Sequence, residues 1–96
     1  MDKLSSISLF VKIAEMYSFK EAAIRMGISC SVATRSIAKL ENHLGVKLFE
    51  RTTRHIELTH AGTLYLDRCK NLIDTIDSIE SEILDAEHDF EGIIEI

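Results

Sequence analysis

The sequence predicts a mainly α-helical fold, with three short helices and a two-stranded hairpin followed by one long helix. Three observations carry this reading. Residues 18–45 hold two helix signals separated by a tight glycine turn, and residues 46–58 hold two short apolar runs around a polar connector. From Tyr65 to Ala86 apolar residues then recur at steps of four and three, the spacing of a helical seam.

Leu4, Ile7, Phe10, Val11 and Ala14 form an apolar stripe widened by Leu9 and Ile13, which predicts a first helix from about Lys3 to Met16. Tyr17 bridges to the next element. Ser18 and Glu21 have capping-box spacing, in which hydroxyl and carboxylate reciprocally satisfy free backbone N–H groups at a helix start. Phe19, Ala22, Ala23 and Met26 follow at helical spacing, and Gly27 ends the helix. Ile28 and Ser29 make the turn, with Ser29 as the cap of the next helix.

At about 100° per residue, that helix gathers Ala33, Ile37, Leu40 and Leu44 on a core side. Ser31, Thr34, Arg35, Ala38 and Asn42 fall opposite, with Lys39 beside them. A small, polar and cationic face, held by a short helix across a tight turn, has the form needed to enter a DNA major groove. It equally describes a solvated outer face.

Gly45 closes this helix. Val46, Leu48 and Phe49 with Glu50 and Arg51 read as a short strand, and Ile56, Glu57 and Leu58 alternate like its partner. The connector carries Arg51, Thr52, Thr53, Arg54 and His55. A hairpin beside a helix-turn-helix is a wing, whose arginines can reach a phosphate backbone or a narrow minor groove; a solvated hairpin tip is the other reading. Arg51 has a second option, pairing with Glu50 or Glu41 to brace the wing.

Thr59 is placed to cap the last helix, predicted from about His60 to His88 and roughly 43 Å long at about 1.5 Å per residue. Its heptad seam comprises Tyr65, Cys69, Leu72, Ile76, Ile79, Ile83 and Ala86, flanked by Ile73 and Leu84. So small a domain cannot cover so long a seam, which points to a second copy of the chain. Gly92 is expected to break the helix, and Ile93, Ile94 and Ile96 to begin a further domain over residues 90–96.

Composition sets the remaining limits. The chain has 96 residues, 46% of them hydrophobic, and no apolar run long enough to span a membrane. The opening MDKLSS lacks a signal-peptide layout, and two cysteines, Cys30 and Cys69, cannot build a disulfide framework. A soluble cytoplasmic protein is expected. The net charge of −5 divides into +3 over residues 1–58 and −8 over residues 59–96, so a basic half can still meet phosphate while an acidic helix projects away.

Taken together, Ser18-Phe19 with Ala22-Ala23, Ile28-Ser29, Arg35, Ile37, Leu40-Glu41, LGVKLFER at 44–51 and LTHAG at 58–62 resemble the N-terminal region of LysR-type transcriptional regulators over about residues 4–90. The resemblance implies a winged helix-turn-helix over residues 1–58, a linker helix over 59–89 that pairs two chains in an antiparallel manner, and an effector-binding domain beyond. It further implies double-stranded DNA as partner, a homodimer that can assemble into tetramers in the full-length protein, and no cofactor in this segment. A small-molecule effector belongs to the further domain alone. Base-edge contacts map to Cys30, Ser31, Thr34 and Arg35. Cys30 and Ser31 depart from the commoner Gln and Pro, and a thiol cannot make the bidentate Gln–adenine pair, so no half-site sequence carries over.

The DNA-contacting set is therefore Ser18, Ser29, Cys30, Ser31, Thr34, Arg35, Lys39, Arg51, Thr52, Thr53 and Arg54, and the dimerisation set Tyr65, Cys69, Leu72, Ile76, Ile79 and Ile83. Ser18 and Ser29 are also explained by capping alone. An exposed Cys30 is open to oxidation at the DNA face, or is simply a small inert side chain. His43, His55, His60 and His88 with the two cysteines show no metal-ligand spacing, and no phosphate loop or nucleophile motif is present. An enzyme is not expected. A protein-contact module that only dimerises is the remaining alternative, distinguished by lacking salt-dependent affinity for duplex DNA.

Overall fold

The computed structural model describes residues 1–52 and 55–94; Thr53 and Arg54, expected at the wing tip, lie outside the described residues. The element order is α1 (Lys3–Met16), α2 (Phe19–Met26), α3 (Cys30–Leu44), β1 (Phe49–Arg51), β2 (Ile56–Leu58) and α4 (His60–Ile94). This is the predicted mainly α architecture, and local chemistry sets the starts and stops of α1, α2 and α3.

Asp2 caps α1 by accepting from the Ser5 N–H at 2.7 Å; hydrogen bonding from the Ser5 hydroxyl, and after it that N–H, holds its carboxyl below the usual carboxylate range. Ser18 and Ser29 cap α2 and α3 by accepting from the Glu21 and Val32 N–H groups, each at 3.1 Å. Among the described residues Glu21 makes no return bond to Ser18, so only half of the capping box forms. Gly27 and Gly45 close α2 and α3 at φ 71° and 77°, left-handed values that cost a glycine little. Tyr17 closes α1 at φ 54° with its N–H on the Ile13 carbonyl.

The three short helices enclose a core centred on Leu9, Phe10, Ile13, Ile37 and Leu48. The expected α1 stripe is buried except at Leu4, which is 47% exposed, and Leu44 at the end of α3 is 38% exposed rather than core. Leu4 lies in the first turn of α1 and Leu44 is the last residue of α3.

The hairpin pairs Phe49 with Leu58, Glu50 with Glu57 and Arg51 with Ile56. Phe49 turns inward and the paired glutamates face out. Phe10 forms the hub of the fold, with ring centroids 5.2 Å from Phe49 and 5.3 Å from Tyr65. Phe49 in turn meets Phe19 at 5.6 Å. One line of aromatic contacts thus ties α2, the wing, α1 and α4 together.

Two expectations for α4 are corrected. The helix does not end before Gly92 but runs on to Ile94; a single glycine in a helix interior costs about 1 kcal/mol relative to alanine and does not by itself stop the helix. Ile93 and Ile94, expected to lie past the end of the helix, are therefore part of it. The heptad seam is also not one surface. Cys69 is buried in the core at 3% exposure, and Tyr65 and Ile73 pack against that core. Tyr65 and Cys69 thus serve the fold of their own chain, because α4 packs against α1. Burial pushes the Cys69 thiol up, which keeps it protonated. Farther along, Leu72, Ile79, Ile83 and Leu84 are between 45% and 66% exposed, and Ile76 is half-buried.

Candidate nucleic-acid interface

Cys30 opens α3 and is exposed as a free thiol. Ala33, Ile37 and Leu40 bury one side of the helix, while Ser31, Arg35, Ala38, Lys39 and Asn42 remain exposed on the other and Thr34 is half-buried. The predicted face is therefore assembled as one strip. Among the described residues neither Arg35 nor Lys39 pairs with a carboxylate, so both cations are available to a ligand.

The wing stands along one flank of this strip. Between them lies a hollow of about 380 Å³ lined by Phe19, Thr34, Ile37, Ala38, Glu41, Lys47, Phe49 and Arg51. Arg51 pairs with neither Glu50 nor Glu41. Its guanidinium lies 3.9 Å from the centroid of the Phe19 ring, a cation–π stack that holds the charge at the mouth of the hollow. At the turn, the Thr52 hydroxyl donates to the His55 carbonyl at 2.9 Å and accepts from the His55 N–H at 3.1 Å. His55 Nε2 meets Glu57 at 3.0 Å.

What fixes the wing against α3 is Glu41. Its carboxylate is buried and accepts from the backbone N–H groups of Leu48 at 2.7 Å and Phe49 at 3.3 Å, while Lys47 Nζ approaches from solvent at 3.9 Å. A buried carboxylate answering two otherwise unmet donors is a charge-assisted anchor. Glu41→Gln keeps one acceptor but loses the charge, so it is expected to cost about 1–2 kcal/mol, read as a lower melting temperature and faster hydrogen exchange at the Leu48 and Phe49 amides. Sequence reasoning places Glu41 within the family motif and misses this role, since nothing local marks it as buried.

Ser18 and Ser29 use their hydroxyls as caps, as capping alone predicts. Among the described residues no group of three or more His, Cys, Asp or Glu side chains is arranged to hold a metal, and no helix is long and apolar enough to cross a membrane.

Three helices, a wing and a long trailing helix, with an exposed polar strip on the third helix, define a winged helix-turn-helix. The chain belongs to the LysR family: residues 4–63 match the family described as bacterial regulatory helix-turn-helix protein, lysR family. It is 41% identical over 83 residues to an HTH-type transcriptional repressor of Pseudomonas aeruginosa, covering 86% of this chain and 26% of that protein. It is 35% identical over 83 residues to the HTH-type transcriptional activator AaeR of Escherichia coli, covering 86% of this chain and 27% of AaeR. The chain thus spans about a quarter of the length of these relatives.

Among solved structures, the BenM DBD in its complex with catB site 1 DNA superposes with a TM-score of 0.81 at 29% identity, covering 85% of this chain and 92% of that one. The CbnR DBD in its DNA complex gives a TM-score of 0.80 at 30% identity, covering 88% and 98%. The winged helix-turn-helix with its linker helix is the fold expected from the sequence.

Proposed function

We propose that this chain is the DNA-binding portion of a bacterial LysR-type transcriptional regulator and acts as a dimer on duplex DNA in the cytoplasm. The observation that carries this is the exposed strip of α3, with short polar side chains and two cations that have no carboxylate partner among the described residues, flanked by a wing braced to the same helix. Relatives named as transcriptional regulators and neighbours solved on DNA support the reading.

In this function the start of α3 enters the major groove, where Arg35 reads a base edge and Cys30, Ser31 and Thr34 line the contact. Lys39, Arg51 and Thr52 hold the backbone or minor groove together with Thr53 and Arg54, and Ser18 and Ser29 add phosphate contacts. The exposed part of α4, carrying Leu72, Ile76, Ile79 and Ile83, pairs two copies so that two half-sites are read at once. A small-molecule effector and any tetramer belong to sequence beyond this segment, which itself needs no cofactor and performs no catalysis.

Fluorescence anisotropy tests this with a duplex from upstream of the protein's own gene and a scrambled duplex, titrated across salt. Preference for the upstream duplex with a steep salt slope is the expected result. Salt-independent or absent affinity would leave a module that only dimerises. Arg35→Ala is expected to remove about 1–3 kcal/mol of discrimination between the two duplexes and leave the melting temperature unchanged. Full retention of discrimination would overturn the assignment of Arg35.

A further inference from the structure

The wing occupies only one flank of α3. On the other, a hollow of about 230 Å³ lies between the start of α1 and the middle of α3, lined among others by Lys3, Ser6, Ser36, Lys39 and His43. A second hollow of about 240 Å³ shares Ser6, Ser36 and Lys39 with it and reaches Arg35. No carboxylate is among the described residues lining either. Asp2, which precedes Lys3, is occupied as the cap of α1.

Lys3 does not hang free. Its Nζ lies 3.4 Å from Nε2 of His43, so an imidazole nitrogen accepts from the ammonium and holds the long side chain on the α3 side, where Lys39 is also placed. Bringing two lysines to one concave site is unfavourable by itself, and an anion between them would reverse the sign. A helix about 10–12 Å across nearly fills a major groove about 12 Å wide, so each flank of the helix faces a phosphate strand. The wing meets one strand.

We propose that Lys3 and Lys39 grip a backbone phosphate of the opposite strand, with His43 as the residue that positions Lys3. This rests on the DNA-binding reading above and adds α1 to the interface. Phosphate contacts of this kind strengthen binding to every sequence and fix the register of the reading helix.

The test uses the 96-residue chain with the upstream and scrambled duplexes. Lys3→Ala is expected to weaken binding to both alike, by about five- to tenfold at about 0.1 M salt, and to flatten the log–log salt slope by about 0.9, the share of a single neutralised phosphate. Lys3 is exposed, so melting should not change. His43→Ala is expected to weaken binding on its own and to add nothing in a Lys3→Ala background. Unchanged affinity and slope in Lys3→Ala would overturn the proposal, and additive effects of the two substitutions would overturn the positioning role of His43. Either result, obtained while the native chain binds DNA with a steep salt slope, leaves the DNA-binding reading standing. Absence of binding by the native chain is the separate result that removes both.

Discussion

Ile79→Asp is expected to turn the dimer into a monomer and to lower affinity for a two-half-site duplex by about 10²- to 10⁴-fold, the avidity that disappears when one domain no longer holds the other at its site. Ile79 is 53% exposed, as are Ile83 at 66% and Leu84 at 61%. With Glu80 these three line a shallow hollow of about 330 Å³ on α4. A large apolar surface left open along a helix is a surface for a partner, and the proposed partner is the same helix of a second chain. An aspartate in that seam would be desolvated without a countercharge, a cost a dimer interface cannot absorb.

The same substitution leaves the fold alone, because Ile79 lies beyond Ile73, the last of the described α4 residues packed on the core. Light scattering should therefore report a monomer whose melting transition for the winged domain is close to that of the native chain at matched low concentration. Affinity for a single half-site should change little. A dimer that survives both Ile79→Asp and Ile83→Asp would show the seam to lie elsewhere on the helix.

Much of this fold is legible because its boundaries are local. Ser18, Ser29, Gly27 and Gly45 announce themselves within four residues of the groups they satisfy, so the starts and stops of α2 and α3 follow from neighbouring chemistry. The strip on α3 follows from periodicity alone. Contacts between residues distant in the chain are different. Arg51 meets Phe19 from 32 positions away, and Glu41 becomes an anchor only because the turn after Gly45 brings two backbone donors to it. The seam on α4 divides for a related reason. Tyr65 and Leu72 obey one heptad rule, yet one packs inside its own chain and the other is exposed. Apolar periodicity says that a face will be covered, not by what.

The long-range contacts also connect parts of the proposed function. The Arg51 guanidinium lies over Phe19, Phe19 meets Phe49 edge-on, Phe49 meets Phe10 at a tilt, and Phe10 meets Tyr65 of α4 edge-on. The wing and the pairing helix are thus set on one buried aromatic frame. The angle between the surface that reads DNA and the surface that pairs chains is a property of that frame, as recognition of two spaced half-sites requires.

Gly62→Ala tests the other fastening of this frame and is expected to destabilise the domain by about 3 kcal/mol, at the upper end of the cost of forcing extra volume into a packed site. Thr59 and Gly62 join α4 to residues 47–48, which lead into β1 of the wing. The Thr59 N–H donates to the Leu48 carbonyl at 3.0 Å, and its hydroxyl donates to the Lys47 carbonyl at 2.6 Å. The same hydroxyl accepts from the Gly62 N–H at 2.9 Å, capping the helix. This brings the first turn of α4 down onto residues 47–48, and a Cβ on Gly62 would collide with the Leu48 carbonyl and press on Leu58. The neighbour is backbone, so it cannot rotate away. Either α4 lifts, breaking the Thr59 bonds, or the carbonyl moves and disturbs the Leu48 and Phe49 segment anchored by Glu41.

Gly45→Ala is the control, since its Cβ would meet nothing within 4 Å and only the left-handed φ of 77° opposes it, for about 1 kcal/mol. At about 4–8 °C per kcal/mol for a domain of this size, Gly62→Ala should lower the melting temperature by more than about 10 °C and Gly45→Ala by half of that or less. Equal decreases would mean that the first turn of α4 yields easily and that the junction does not hold the wing to the helix.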